Sequence, residues 1–324
     1  MNINFSQAIN LALTEEMKRN RNLVCFGLGV NDNLRFFGTT KGLVEKFGIE
    51  RVFETPTSEN AMTGIGIGMS LLKNPCVMMH QRLDFFLLAM DQLVNSGAKW
   101  HYMFGGQKSV PITIRLVVGK GWGQGPTHSQ SLQSWFAHIP GLKVVMPTFP
   151  SDAYNLLKSS IRDPNPVIFI EHRWLHSLEE KKIIKDQTRK LIGKSRLISQ
   201  GKHLTIVTYS LSTLEIISMR NQLFKKNIYF DHIDLRTIKP LDLYLVKKSL
   251  KKTKKLLVID TVSHPICSVG SEIISQVSLD EKIKLKKTPI LITLPDIPSP
   301  TSSFYFKDFY VTKYEILKKI EKLI

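Results

Sequence analysis

The chain is poor in cysteine and in acid, and it has no long apolar run. Three cysteines, Cys25, Cys76 and Cys267, stand far apart in 324 residues, and two lie in apolar strand-like runs. That spacing excludes a metal knuckle and gives no disulfide framework. No apolar stretch approaches the ~20 residues that a membrane-spanning helix needs. The opening "MNINFSQAINLALTEEMKRN" lacks a basic start, an apolar centre and a small-residue cleavage site, so no signal peptide is expected. It reads instead as an amphipathic helix, and the chain as cytoplasmic. Gly64, Gly66 and Gly68 do not follow the G-x-G-x-x-G spacing of a dinucleotide fingerprint. Acid is scarce: 27 Asp and Glu face 45 Lys and Arg, a net charge of +18. Such a balance suits nucleic acid, an anionic membrane or an acidic partner. The densest basic run, "KKSLKKTKK" (247–255), has no interleaved aromatics and leads directly into a buried-type strand. It reads as a solvated lysine-rich face, and neither nucleic acid nor membrane is expected as a partner.

What is present is an alternation of strands and helices. "LVCFGLGV" (23–30), "PCVMMH" (75–80), "PITIRLVV" (111–118), "LKVVMP" (142–147) and "PVIFIEH" (166–172) are almost continuously apolar. Strands of that kind belong to a parallel sheet covered on both faces. Helical stretches separate them, including "DFFLLAMDQLVNSGAKW" (84–100) and "SDAYNLLKSSIRD" (151–163). The chain turns polar over 178–200, and then the alternation restarts with "HLTIVTYS" (203–210), "NIYFDHIDLRT" (227–237), "KLLVID" (255–260) and "PILITLP" (289–295). The fold class is therefore α/β with two doubly wound domains, bounded as 1–185 and 186–324.

Ligands in such folds lie beyond the carboxyl ends of the strands. Glu59, in "ETPTSENAMTGIGIGMS" (54–70), follows the short run "RVFETP". "HQRLDFF" (80–86), "GKGWGQGPTHSQ" (119–130) and "HRWLH" (172–176) each follow a predicted strand. Four such loops at one edge, carrying Glu, His, Gln, Arg and aromatics, form a candidate site. Plainer readings exist for each part. Glu59 suits a helix start on electrostatic grounds, His128 suits a cap or a core, Phe85 and Phe86 suit a core, and the glycines suit a flexible turn.

Order and spacing add to this. "TSEN", "MHQRLDFFLLAMDQLVNSGAK", "THSQS", "PGLKVVMP", "SIRDPNPVIFIE", "DLRTIKPLD" and "VGSEI" occur in the order found in the beta subunits of thiamine-diphosphate-dependent 2-oxoacid dehydrogenases. The chain resembles that family over nearly its whole length. The resemblance implies a transketolase-like pyrimidine-binding domain followed by a transketolase C-terminal-like domain. It makes Glu59 the carboxylate bonded to the aminopyrimidine N1′, where it favours the imino tautomer that deprotonates the thiazolium carbon. It places Phe85 against the aminopyrimidine ring, Gln81 on the cofactor side and His128 facing the substrate. It further implies a potassium site at Ile112, Ser160, Ile161, Asp163 and Asn165, formed by backbone oxygens and an Asp side chain; an ordinary helix-ending "RDPN" turn explains the same residues.

No G-D-G…N motif for a magnesium-bound diphosphate occurs in the chain. In the family that half belongs to an alpha subunit, which implies an active site made by two chains in a heterotetramer. "LPDIPSPTSSFYFKDFYVTK" (294–313) and His264 depart from the pyruvate-type pattern, and "GKGWGQGPTHSQSLQSWFAHIPGLKVVMP" is similar to beta-subunit-like proteins of bacterial sugar-biosynthesis clusters. Three functions are therefore carried forward. The first is a pyruvate dehydrogenase-like beta subunit that decarboxylates a 2-oxoacid and passes the acyl group to the lipoyl arm of an acyltransferase. The second is a two-carbon ligase acting on an activated sugar or another carbonyl. The third is a non-catalytic basic binding subunit.

Overall fold

A computed structural model of the chain describes residues 2–186 and 191–324. Residues 187–190, within the polar stretch read as the link between domains, lie outside the described residues. The chain divides into two compact units, Met1–Val118 with Trp135–Ile192, and Gly119–Ser134 with Gly193–Ile324.

The first unit opens with helix α1 (Phe5–Arg19). Its start is fixed by a reciprocal cap: Asn4 Oδ1 accepts from the Gln7 N–H, and Gln7 Oε1 accepts from the Asn4 N–H, both at 2.8 Å. Six strands follow: β1 (Val24–Gly27), β2 (Val52–Glu54), β3 (Cys76–His80), β4 (Ile112–Val118), β5 (Lys143–Val145) and β6 (Val167–His172). They pair in parallel in the order β5-β6-β4-β3-β1-β2. Every residue of β3, β4 and β6 is buried, which is why these segments read as unbroken apolar runs. Cys25 and Cys76 are free thiols inside this layer, and burial pushes both up to about 12.

Helix α2 (Glu59–Leu71) joins β2 to β3, and α3 (Pro150–Ile161) joins β5 to β6. The segment 84–100, expected as one helix, is instead wound in pieces: an α-turn at Leu83–Phe86, a 3₁₀ turn at Leu87–Ala89, a π turn at Gln92–Gly97 and a last α-turn at Trp100–Met103. The reason lies in its buried residues. Ala89, Leu93 and Gly97 recur every fourth residue, wider than the 3.6 of an α-helix. Unwinding keeps them on one face, where Gly97 approaches Ile67 of α2 so closely that an added Cβ would lie 3.3 Å from its Cδ1.

The second unit is a five-stranded sheet of β7 (Arg196–Ser199), β8 (Leu204–Thr208), β9 (Phe230–Asp234), β10 (Leu256–Asp260) and β11 (Ile290–Thr293). The order is β11-β10-β8-β9-β7, all parallel except β7, which runs antiparallel to β9. Helices α4 (Leu211–Lys225) and α7 (Lys313–Leu323) cover one face, packing Ile216, Met219, Ile316 and Ile320 on Leu204, Ile206, Leu257 and Ile259; α5 (Tyr244–Thr253) and α6 (Val269–Ser278) complete the unit. The lysine-rich run lies on and after α5. Lys247 pairs with Asp280 and Lys252 with Asp231, both at 2.8 Å, and Lys255 Nζ donates to the Ile324 carbonyl at 2.9 Å. Part of the positive charge is thus balanced locally. Among the described residues no helix is long and apolar enough to cross a membrane.

Candidate active site

Glu59 is the first residue of α2 and is only 7% exposed. The turn is secured by the Thr63 hydroxyl, which donates to the Glu59 carbonyl at 2.8 Å. Among the described residues no hydrogen-bond donor reaches the Glu59 carboxylate. A buried acid of this kind is costly unless something compensates it. The helix N-terminus supplies part of that compensation through its amide dipoles, and the remaining acceptor capacity suits a donor from outside the chain. The glycines behind Glu59 serve packing: an added Cβ on Gly66 would stand 2.9 Å from Ile112 Cδ1 and 3.0 Å from Phe26 Cζ.

Glu59 follows β2, and Gln81 directly follows β3, with β1 between the two strands in the sheet. Parallel strands present their carboxyl ends at one edge, so the loops after β2, β1 and β3 emerge side by side. They are tied together. Gln81 Nε2 donates to Asp32 Oδ2 at 3.0 Å, and Glu54 accepts the N–H groups of Gly29 at 2.6 Å and Asn31 at 2.9 Å. Gly29 has φ +78°, and a Cβ there would collide with Gln81 Nε2 at 2.2 Å. The Gln81 side chain is therefore held from two directions.

The pair Phe85–Phe86 divides its roles. Phe86 is fully buried, edge-on to His80 at 4.9 Å and tilted against Phe136 at 6.0 Å, whereas Phe85 is 41% exposed. An aromatic face offered at a loop edge suits stacking on a flat heterocycle. His80 is 1% exposed, and neither ring nitrogen has a hydrogen-bond partner among the described residues. Burial pushes its imidazole down to about 3, so it is neutral.

His128 belongs to the second unit. It ends a 3₁₀ turn (Pro126–His128), is half-buried, and its Nδ1 lies 2.9 Å from Thr127 Oγ1. Glu59, Gln81 and Phe85 belong to the first unit.

The residues expected to hold potassium surround the end of α3 and the start of β4. Ser160, Ile161 and Ile112 are buried. The Asp163 carboxylate is already engaged: Lys143 Nζ donates to its two oxygens at 2.7 and 2.6 Å, and the Asn165 N–H donates to Oδ1 at 3.0 Å. An Asp163 side-chain ligand therefore does not fit this arrangement. Among the described residues no group of three or more His, Cys, Asp or Glu side chains could hold a metal ion.

Sequence reasoning passed over Asp32 and Glu54, whose roles arise from loops that meet only in the folded unit. The signal that could have found them is the pair Gly27 and Gly29 at the end of β1. Both take positive φ, and a Cβ on Gly27 would lie 2.3 Å from the Met79 carbonyl oxygen. Also missed were Gln133, Tyr209 and Asp260 in the second unit. There Gln133 Nε2 donates to Tyr209 Oη at 2.9 Å, and Tyr209 donates to Asp260 at 2.5 Å. Burial raises the Asp260 carboxyl to about 6.

Comparison with known proteins also gives two domains, although the first match includes Gly119–Ser134, which belong to the second compact unit. Residues 1–177 match the transketolase pyrimidine-binding domain, and residues 193–316 match the transketolase C-terminal domain. The beta subunit of the pyruvate dehydrogenase E1 component of Rhizobium meliloti (strain 1021) is 38% identical over 297 residues, which are 91% of this chain and 64% of that protein's length. The 2-oxoisovalerate dehydrogenase subunit beta of Bacillus subtilis (strain 168) is 36% identical over 309 residues, 94% of each chain. Among solved structures, a split-gene transketolase in an inactive beta4 tetramer superposes with a TM-score of 0.79 over 99% of this chain and 98% of that one; at 17% identity it supports the fold alone. With both domains matched in order and a relative matched along nearly its full length, the chain belongs to the family of 2-oxoacid dehydrogenase beta subunits built on the transketolase fold.

Proposed function

We propose that this chain is the beta half of a thiamine-diphosphate-dependent 2-oxoacid dehydrogenase, active with an alpha-type partner in a heterotetramer. The observation that carries the reading is Glu59: a largely buried carboxylate at a helix start, on the edge where Gln81 and Phe85 emerge, with no donor from the described residues. When bound, thiamine diphosphate supplies the electron sink that lets a 2-oxoacid lose carbon dioxide. Glu59 accepts a hydrogen bond from the aminopyrimidine and holds charge and proton balance at N1′. Phe85 offers its exposed ring to the heterocycle, and Gln81, fixed by Asp32, lines the same side. His128 exchanges protons with the substrate. The magnesium-bound diphosphate falls to the partner, since the chain has no G-D-G…N motif.

Relatives of similar identity are named for pyruvate and for 2-oxoisovalerate, which supports a 2-oxoacid as substrate; a lipoyl acyltransferase carrying the acceptor is part of the proposal itself. Three free thiols fit a reducing, cytoplasmic setting. Potassium enters as a structural ion held by main-chain oxygens of Ile112, Ser160, Ile161, Asp163 and Asn165. The test is Glu59→Gln, which keeps volume and hydrogen bonding and removes charge. Proton exchange at the thiazolium carbon in the reconstituted complex should slow by ~10²–10⁴-fold, the range for losing an acid–base partner. An unchanged exchange rate removes Glu59 from the assignment.

A further inference from the structure

The loop that carries His128 has little regular structure of its own. Gly121, Gly123 and Gly125 take φ of +63°, +72° and +74°. Alternating left-handed residues give a path that no helix or sheet ladder stabilises, so its shape depends on outside partners.

Those partners come largely from the far end of the chain. The Gly121 N–H donates to Tyr310 Oη at 2.8 Å. Thr301 lies against the loop so closely that a Cβ on Gly125 would stand 2.6 Å from its Oγ1, and one on Gly123 3.7 Å from its carbonyl oxygen. Lys120 Nζ pairs with Glu215 at 2.5 Å and sits 5.9 Å from the centre of the Tyr310 ring. The exit of the loop is fixed to the sheet, where Gln133 donates to Tyr209 Oη and to Ser263 Oγ. Its middle, from Gly121 to Gly125, meets the tail.

The tail is itself a folded platform. Tyr310 stands edge-on to Phe306 and to Phe309, with ring centres 5.3 and 4.9 Å apart, and Phe309 is 3% exposed. Phe309 in turn packs edge-on to His264, whose Nδ1 lies 2.6 Å from the Pro295 carbonyl oxygen. The two features that depart from the pyruvate-type pattern, His264 and the segment 294–313, are therefore parts of one structure lying against the glycine loop.

We infer that the C-terminal segment 301–310 sets the conformation of the glycine loop, and that Tyr310 is a positioning residue for His128. The inference deepens the proposed reading, because the importance of the loop rests on the role given there to His128. It makes the divergent tail the element that tunes substrate or acceptor handling, through the loop rather than by direct contact.

Hydrogen–deuterium exchange on the full chain tests the anchor without any activity. Tyr310→Phe keeps the ring and deletes the Gly121 acceptor; exchange in peptides spanning 119–130 should quicken by about 10-fold while strand peptides at 204–208 and the melting temperature hold. Thr301→Ala should act in the same direction if the first variant folds poorly. In the complex reconstituted with its alpha partner, Tyr310→Phe should lower kcat by about 10-fold with KM for the oxoacid unchanged, a cost suited to a small misplacement of a reacting group. Combined with His128→Ala it should add no further loss. Unchanged exchange in both variants overturns the anchor. Faster exchange with full turnover in Tyr310→Phe, alongside a slow His128→Ala, overturns the positioning role. If His128→Ala itself keeps full turnover, the proposed role of His128 fails, while faster exchange still supports the anchor.

Discussion

His80 shows most sharply what a single buried group contributes. The imidazole stands edge-on to Phe86 with both nitrogens unpartnered among the described residues, and burial holds it down to about 3 from the usual 6.5. Because the folded value lies below the unfolded one, the unfolded chain takes up a proton that the folded chain refuses as pH falls below 6.5. Stability then falls by up to ~1.4 kcal/mol per pH unit until the folded value is reached. His80→Phe removes that penalty and keeps an aromatic against Phe86, so its gain in melting temperature over the parent should be larger at pH 5 than at pH 8. Titrations at His232 and Asp260 are common to both proteins and cancel in the difference. An equal gain at both pH values would show that burial does not shift the His80 imidazole from its ordinary value. Glu171 contrasts with it. Burial alone would raise this carboxyl, but Arg115, in a 2.6 Å ion pair, and His176 outweigh burial and hold it at about 2. Motif and order singled out Glu59, Gln81, Phe85 and His128, and the sequence also showed that Glu59 and Gln81 follow strands; their roles belong to the proposed reading. The protonation of His80 and the clamp of Asp32 and Glu54 were not legible there, since they depend on distant loops meeting.

At the scale of elements, the glycine-spaced helix α2 separates two roles that look alike in sequence. A Cβ on Gly66 would press on Ile112 and Phe26 inside the fold, whereas one on Gly68 would meet nothing within 4 Å. Gly66→Ala should therefore destabilise by ~1–3 kcal/mol through overpacking. Gly68→Ala should stabilise by ~0.5–1 kcal/mol by stiffening a helix interior. Chemical denaturation of the two variants decides it, and equal signs would mean that the close approach of α2 to β1 and β4 is misread. The same contrast explains what was legible in the elements. Strands buried on both faces, such as "PITIRLVV", declare themselves through unbroken apolar runs. The segment 84–100 carries a helical composition, yet its buried residues at Ala89, Leu93 and Gly97 demand a wider pitch, and that demand comes from Ile67 on another helix. Composition reports propensity; the pitch was set by packing.

At the scale of the whole molecule, the proposed reading turns on a cofactor site that this chain completes only with a partner. The chain supplies a carboxylate, an aromatic face and a fixed glutamine on its first unit, and these address the ring end of thiamine diphosphate in the proposed reading. Its sequence has no G-D-G…N motif for the diphosphate, the end at which most of the ligand's charge and its magnesium lie. Ionic contacts to a diphosphate normally dominate affinity, because charge-assisted hydrogen bonds and metal coordination exceed ring contacts in strength. The net charge of +18 gives a general attraction to anions, but that attraction is screened by salt within about 8 Å at physiological ionic strength. The purified chain should therefore bind thiamine diphosphate weakly, with an affinity that falls as salt rises and responds little to magnesium. Adding an alpha-type partner should produce tight, magnesium-dependent binding together with a heterotetramer in analytical ultracentrifugation. Calorimetry on both samples, with and without magnesium, separates the cases. Tight magnesium-dependent binding to this chain alone would refute the division of the cofactor between two chains. Weak binding that persists after the partner has joined would refute the assignment of the ring end to Glu59 and Phe85.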